Sequence, residues 1–557
     1  MKQAASSRPR PSMVGWYDPP ILVRSALNLT LANLFGRHSD TRLIEALASQ
    51  PQGYFDYRHD EGELWIDYVA DIGDGWNPTC GIAHAIAAKE QALQTAAGEH
   101  IVTRGGRLLI FGGDEVYPYP SRLAYEQRTE APYTAAFQSH GRWPELFAIP
   151  GNHDWYDSLV AFTRAFCRPE RGFAGCRTQQ TRSYFALRLP ADWWLLGIDL
   201  QLGAEFDEPQ VQYFQTMTRE FNERTRVIMA VPDPQWIYAN EYPEYASYED
   251  ATLRFFEEQV IKRAVDVYVT GDLHLYQRHA NAAGTQKIVS GGGGAFLHPT
   301  HAPDASHLAD GFERKAIYPP PEISRRLSWR NLLLPLLNPA SCSITAVLYS
   351  LSAWFAAASI GRDDVVSFGA ALAAALGAAV RSPFNGLWLM LFLAAFVFFT
   401  DTHARWYRLL GGLGHAAAHL FGAFCTGWLA IIVTTRWLEL PFGSAAQFLA
   451  SVPFTLIGGA LLGPLILGIY LLISLNVFGR HSTEAFSSLR IQDYKQWLRM
   501  RIDAAGNLDL YAIALDRVPR HWREMSKSGA VEPDDPLASA PRLVDYVRVP
   551  GRAGRGN

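Results

Sequence analysis

The sequence predicts an α/β domain over residues 61–320 followed by an all-α transmembrane helical domain over 341–479. Three observations lead there. Between about 64 and 300, short apolar, β-branched runs alternate with polar stretches, and each run stops at Gly, Asp, Asn or Pro. After 340 the chain becomes almost charge-free in five successive runs. After 479 it turns polar again.

At 557 residues the chain has room for two or three domains. A formal net charge of −4 supplies no global basic field, so no nucleic-acid partner is expected. The five cysteines (Cys80, Cys167, Cys176, Cys342, Cys425) are scattered and form no CxxC pair, which predicts neither a disulfide framework nor a thiolate zinc site. The first residues, MKQAASSRPRPSMVGWYDPP, contain no apolar core of signal-peptide length, so the first domain is expected in the cytoplasm.

Residues 1–60 read as an N-terminal extension of helices and loops packing on the domain that follows. LWIDYVADIGD, RLLIFGGDE, ELFAIPGNHD, WWLLGIDL, RVIMAVPDP, VDVYVTGDLH and QKIVSGGGG read as buried strands with abrupt polar ends. Such ends are where α/β folds place their chemistry. The run SGGGG lacks the Lys-Ser/Thr ending of a P-loop and reads as a flexible turn beside the site; His298 and His301 after it read as loop residues rather than substrate contacts.

Residues 321–340 form a linker. ISRRLSWRNLLLPLLNP places Arg325, Arg326 and Arg330 with Trp329 ahead of an apolar stretch, the pattern of an interfacial helix, with an ordinary linker helix as the alternative. The charge-free runs are 341–361, 365–380, 382–400, 409–435 and 440–479. About 20 apolar residues cross a bilayer as a helix, so the lipid bilayer is an expected partner and the chain reads as a multi-pass membrane protein. The last run admits one long helix or two short ones broken near Gly458, Gly459, Gly463 and Pro464. Basic residues flank the region on both sides; by the positive-inside bias both flanks face the cytoplasm, which favours six crossings, with the last run a hairpin, over four, whereas the bare run count gives five. His415 and His419 share one helical face and are candidates for a metal or proton role. In the 480–557 tail, WLRMRIDAAGNLDLYAIALDRVP alternates about a turn and predicts a β-hairpin docked on the first domain.

Four strand ends carry carboxylate, amide and imidazole groups in order: Asp71-Ile72-Gly73, Gly113-Asp114-Glu115-Val116-Tyr117, Gly151-Asn152-His153-Asp154 and Gly271-Asp272-Leu273-His274. These ligand types suit Mn, Fe and Zn, and strands hold them on rigid supports. Each alone is a common turn; four in this order are not.

The set resembles the calcineurin-like metallophosphoesterase superfamily, and DIG, GDEVY and GDLHLYQR are most similar to the purple acid phosphatases. The resemblance covers residues 64–300. It implies a four-layer αββα sandwich, a phosphate-ester substrate and two divalent metal ions (Mn, Fe, Zn or Mg). By matching position it implies Asp71, Asp114 and His274 on the first metal, with Tyr117 either a further ligand or a packed aromatic. Asp114, Asn152 and Asp272 would hold the second. His153 would act beside the phosphate, oriented by Asp154, and Arg278 and His279 would bind substrate. Two positions depart from the family: Ala230 stands where a ligand histidine is usual, with Asp233 a nearby substitute, and Asp272 replaces the first histidine of GHxH. An all-oxygen second site favours Mn²⁺ or Mg²⁺ over Zn²⁺. The alternative is a weak or empty second site, and a metal- or phosphate-binding sensor module in place of an enzyme.

Overall fold

A computed structural model describes residues 10–31, 53–59, 62–95, 98–200, 206–241, 246–358, 360–400, 404–525, 529–536 and 540–551. Of the expected N-terminal extension, residues 1–9, 32–52 and 60 lie outside these. The chain separates into two compact units. One comprises residues 1–14, 24–324 and 490–557; the other comprises 15–23 and 325–489.

The first unit is mixed α/β and contains two large sheets. The seven-stranded sheet runs in the order Arg542–Val549, Leu508–Leu515, Lys495–Ile502, Leu64–Val69, Leu108–Gly112, Glu145–Ile149, Arg177–Thr178. Its last four strands are mutually parallel. The eight-stranded sheet runs Phe55–Asp56, Phe185–Arg188, Trp193–Gly197, Arg226–Val231, Val267–Thr270, Gln286–Ser290, Tyr276–Ala280, Glu313–Tyr318.

Strands such as LWIDYV and LLIFG are buried at every position, because both faces of their sheet are covered. Alternate residues then serve two cores. Ile66, Tyr68, Ile110 and Phe147 pack with Leu195, Ile228, Val267 and Ile288 of the other sheet. Trp65, Val69, Leu109 and Phe111, one residue out of phase, pack with Ile82, Ile86, Tyr133 and Phe137 of the helices Trp76–Ala87 and Ala131–His140. On the eight-stranded sheet, Trp194, Leu196 and Met229 turn towards Phe214, Trp236 and Phe256.

The hairpin after the second unit is present, with Lys495 opposite Leu515 and Ile502 opposite Leu508. It does more than extend an edge. Lys495–Ile502 pairs with Leu64–Val69, placing Leu498 opposite Tyr68, and three of the seven strands come from this segment. Arg499 is fully buried there, its Nε 2.7 Å from Asp67 Oδ1 and its Nη1 3.1 Å from both Gln91 Oε1 and Thr103 Oγ1.

The second unit is helical. Arg405–Trp437 (33 residues) and Ala445–Phe478 (34 residues) are long and apolar enough to cross a membrane. Two bent pairs meet the same criterion together, Pro321–Leu337 with Cys342–Ala357 (71°) and Phe368–Arg381 with Pro383–Phe398 (94°), giving two to four candidate spans among the described residues. The hairpin expected in the 440–479 run is not formed. Ala445–Phe478 is one helix with Pro453 and Pro464 inside it, so the expectation of six crossings loses its basis. Gly459 and Gly463 of that helix pack against Tyr349 and Thr345, and neighbours of this kind let a helix carry proline in an apolar setting. His415 and His419 do share a face, their Nε2 atoms 3.0 Å apart, with the Tyr349 hydroxyl 3.1 Å from His419 Nδ1.

Candidate metal centre

The four motifs follow strands Leu64–Val69, Leu108–Gly112, Glu145–Ile149 and Val267–Thr270, at the carboxyl ends where loops gather in α/β sheets. Asp71, Asp114 and Asp272 all have left-handed backbone, at φ 59°, 54° and 66°. Outside glycine this conformation costs about 1–2 kcal/mol per residue, less for Asp, and it collects at functional sites. The three carboxylates lie near enough for the charges of Asp114 and Asp272 to act on Asp71.

The hydroxyl of buried Tyr117 sits among them, 2.9 Å from Asp71 Oδ1, 3.0 Å from Asp114 Oδ2 and 3.1 Å from His274 Nε2. Tyr117 is therefore both packed and in contact with Asp71, Asp114 and His274, the three residues expected on the first metal. The Asp272 N–H donates to Asp71 Oδ2 at 2.9 Å, and the His153 N–H donates to Asp114 Oδ1 at 2.8 Å. Burial holds the Asp71 carboxyl well above the usual carboxylate range, and the charges of Asp114 and Asp272 add to it. Asp114 is raised in the same way, by burial and then by Asp154 and Asp272. Carboxyls crowded like this gain most from a cation among them.

Two further features fit divalent-metal chemistry. His274 Nδ1 lies 2.7 Å from the Phe296 carbonyl and donates to it, which leaves the Nε2 lone pair facing Asp71 and Tyr117. An outer hydrogen bond of this kind fixes the tautomer of metal-binding histidines. Asn152 Oδ1 is buried without a hydrogen-bond partner, a lone pair that an interior seldom leaves unused. Against this, no group of three His, Cys, Asp or Glu among the described residues is arranged to hold a metal ion. The donors converge on the Tyr117 hydroxyl and do not form a ready cage.

His153 is half-buried, its Nδ1 donating to the Pro118 carbonyl at 3.0 Å. Burial pulls its pKa down to about 4, so the ring is neutral at pH 7. Asp154 does not orient it. The Asp154 carboxylate accepts from the N–H of Gly151 (2.9 Å) and of Glu115 (3.3 Å) and from the Tyr125 hydroxyl, tying two of the loops together. The expected role of Asp154 beside His153 is thus corrected to one of loop support.

Arg278 and His279 are also corrected. Arg278 Nε donates to Asp545 Oδ2 at 2.6 Å, Nη2 to Asp545 Oδ1 at 3.1 Å and Nη1 to Gln286 Oε1 at 3.0 Å. His279, on the other face of the same strand, is fully buried with Nε2 2.6 Å from the Ala305 carbonyl. Neither is turned to a substrate. Arg278→Ala is therefore expected to lower stability by ~3 kcal/mol, since it leaves the Asp545 carboxylate without its counter-charge and with only the Tyr276 hydroxyl (2.8 Å) and the Tyr546 N–H (2.9 Å), and to leave KM within about twofold; thermal melting and steady-state kinetics on one preparation check both.

Ala230 is buried in the core shared by the sheets, so nothing at that position reaches the centre. Sequence reasoning missed Tyr238, whose hydroxyl donates to Asp272 Oδ2; burial and then Asp272 oppose ionisation of that hydroxyl, and the charge of Asp233 adds to this. It also undervalued His298. That ring stacks on His274 at 4.2 Å and accepts the His274 N–H at Nδ1 (2.9 Å). The glycine run is no flexible turn: Gly291–Gly294 are all buried, and a Cβ on Gly291 would stand 2.6 Å from Asp71 Oδ2. The run is glycine because the backbone passes against the Asp71 carboxylate.

No protein-family model and no curated protein matches this chain. Among solved structures it is similar to GAP50, the anchor in the inner membrane complex of Plasmodium, at 11% identity and a TM-score of 0.32, covering 46% of this chain and 78% of that one. It is also similar to purple acid phosphatase PPD1 from yellow lupin seeds, at 14% identity and a TM-score of 0.29, covering 43% of this chain and 46% of that one. The chain spans about half the length of the lupin enzyme. Scores of this size carry no argument about activity.

Proposed function

We propose that the chain is a membrane-anchored, metal-dependent phosphoesterase built on an αββα sandwich. The observation that carries this reading is the convergence of Asp71, Asp114 and His274 on one hydroxyl, with the Asp272 N–H bonded to Asp71 and the orphaned oxygen of Asn152 in the adjoining loop. Asp71, Asp114 and His274, with Tyr117 alongside, would hold one ion; Asp114, Asn152 and Asp272 would hold the other. Two divalent ions held there would lower the pKa of a water and neutralise phosphate oxygens.

The residues themselves do the rest. Asp154 and Tyr125 fix the loops that carry Asp114 and Asn152. Tyr238 holds Asp272 in place. His153, neutral at pH 7 and pinned through Nδ1, presents Nε2 for a hydrogen bond beside the ester.

The helical unit supports the anchoring. The first unit is folded from both flanks of that helical segment, since Lys495–Ile502 pairs with Leu64–Val69. A sheet cannot be divided by a bilayer, so both flanks lie on one side and the crossings are even in number: two, or four.

A second reading, a binding module with one functional metal site, is favoured by Ala230 and by the Tyr238 bond to Asp272. Hydrolysis of p-nitrophenyl phosphate and bis-p-nitrophenyl phosphate by detergent-purified protein, with Mn²⁺, Mg²⁺, Zn²⁺ or Fe²⁺ added, separates the two. Metal-dependent turnover supports the enzyme, and the preferred compound gives the ester class. Folded protein that turns over neither compound with any metal supports the binding module.

A further inference from the structure

We propose that the exposed face of the segment Arg325–Leu337 binds the headgroups of anionic phospholipids. This rests on the membrane reading above and goes beyond it, because a span needs only hydrocarbon, whereas this face selects a lipid class.

The segment has two sides of different chemistry. Ser328, Asn331, Leu334 and Asn338 are fully buried, and three of them are clamped by hydrogen bonds. Asn476 Nδ2 donates to Ser328 Oγ at 3.1 Å, Ser488 Oγ to Asn331 Oδ1 at 3.1 Å, and Asn338 Nδ2 to the Ser488 carbonyl at 2.9 Å. Gly468 lets the opposing helix approach the Asn331 carbonyl, where a Cβ would collide with it. These contacts fix the rotation of the segment about its own axis.

The opposite face is thereby forced outward. Arg325, Trp329, Leu333 and Leu336 follow at helical spacing, with Arg326 and Arg330 beside them, and all six are exposed. Trp329 is 60% and Leu336 77% exposed, too apolar a pair for water alone. The order along the face is guanidinium, indole, leucine, which is the order of headgroup, interface and hydrocarbon. The segment is bent by 71° from the apolar helix Cys342–Ala357, so it does not continue that helix's axis. Among the described residues no carboxylate pairs with Arg325, Arg326 or Arg330, so their charge remains available to lipid phosphate.

The test uses the full chain, placed in nanodiscs of phosphatidylcholine with or without phosphatidylglycerol, and counts retained lipids by native mass spectrometry. Each arginine near an anionic surface contributes about fivefold in binding. The wild type is expected to retain phosphatidylglycerol about tenfold or more over phosphatidylcholine. R325Q/R326Q/R330Q is expected to retain both equally, and R325K/R326K/R330K to keep the preference. Melting in pure phosphatidylcholine guards against misfolding of the Gln variant; if it melts early, the Lys variant and the loss of preference at high salt decide. Equal retention by the wild type, or an undiminished preference in the Gln variant, overturns the proposal. So does a dimer that the Gln variant dissolves without any lipid preference. A chain that stays in solution without detergent overturns the membrane reading and this proposal together, while leaving phosphoesterase turnover measurable.

Discussion

Asn152→Ala is expected to lower turnover about a thousandfold while leaving the protein folded. Asn152 Oδ1 has no hydrogen-bond partner in the interior, so its removal strands nothing and opens only a small gap. Its loss should therefore appear in activity and not in stability, as removal of one preorganised polar contact at a reacting centre does. Asp114→Ala is expected to fall at least as far, because its two oxygens face Tyr117 and the His153 N–H at once. Melting curves run with the kinetics check the distinction. A folded Asn152→Ala protein with wild-type turnover removes the amide from the site.

The largest effect on stability is expected at Arg499→Met. Arg499 and Asp67 are 0% and 1% exposed, paired through Nε–Oδ1 at 2.7 Å and Nη2–Oδ2 at 3.2 Å. The pair joins a strand that precedes the helical unit to one that follows it. Removing the guanidinium leaves Asp67 buried with only the Gly106 N–H (2.8 Å) and distant Arg142 (3.9 Å) to compensate. A broken buried pair costs ~3–5 kcal/mol, and replacing both partners by apolar residues recovers most of it. The expected series is thus wild type near Asp67→Leu/Arg499→Met, with Arg499→Met far below both in thermal melting. A single variant that melts with the wild type contradicts the buried bridge.

The strands and the four motif loops were legible because both leave local signals. An apolar run ending in Gly-Asp or Gly-Asn needs no distant partner to be read. What escaped was long-range. Nothing near Arg278 announces Asp545, 267 positions later, and so a buried structural arginine read as a substrate ligand. Asp154 lies beside His153 in sequence, yet its oxygens turn to Gly151, Glu115 and Tyr125. Tyr238 sits in a short helix with no motif of its own and reaches Asp272 only through the fold. The Ala445–Phe478 helix misled for a different reason: glycine and proline punctuate helices in water and are tolerated among apolar neighbours.

The central claim is that these strand ends hold two divalent ions. Its most direct test is the metal content of the detergent-purified chain after reconstitution with Mn²⁺ or Zn²⁺ and removal of free ion, read by plasma mass spectrometry beside Asp114→Ala and Asp272→Ala. The account predicts two ions per chain in the wild type, one in Asp272→Ala, and fewer than one in Asp114→Ala. One ion or none in the wild type, or two in the folded Asp114→Ala variant, would contradict it.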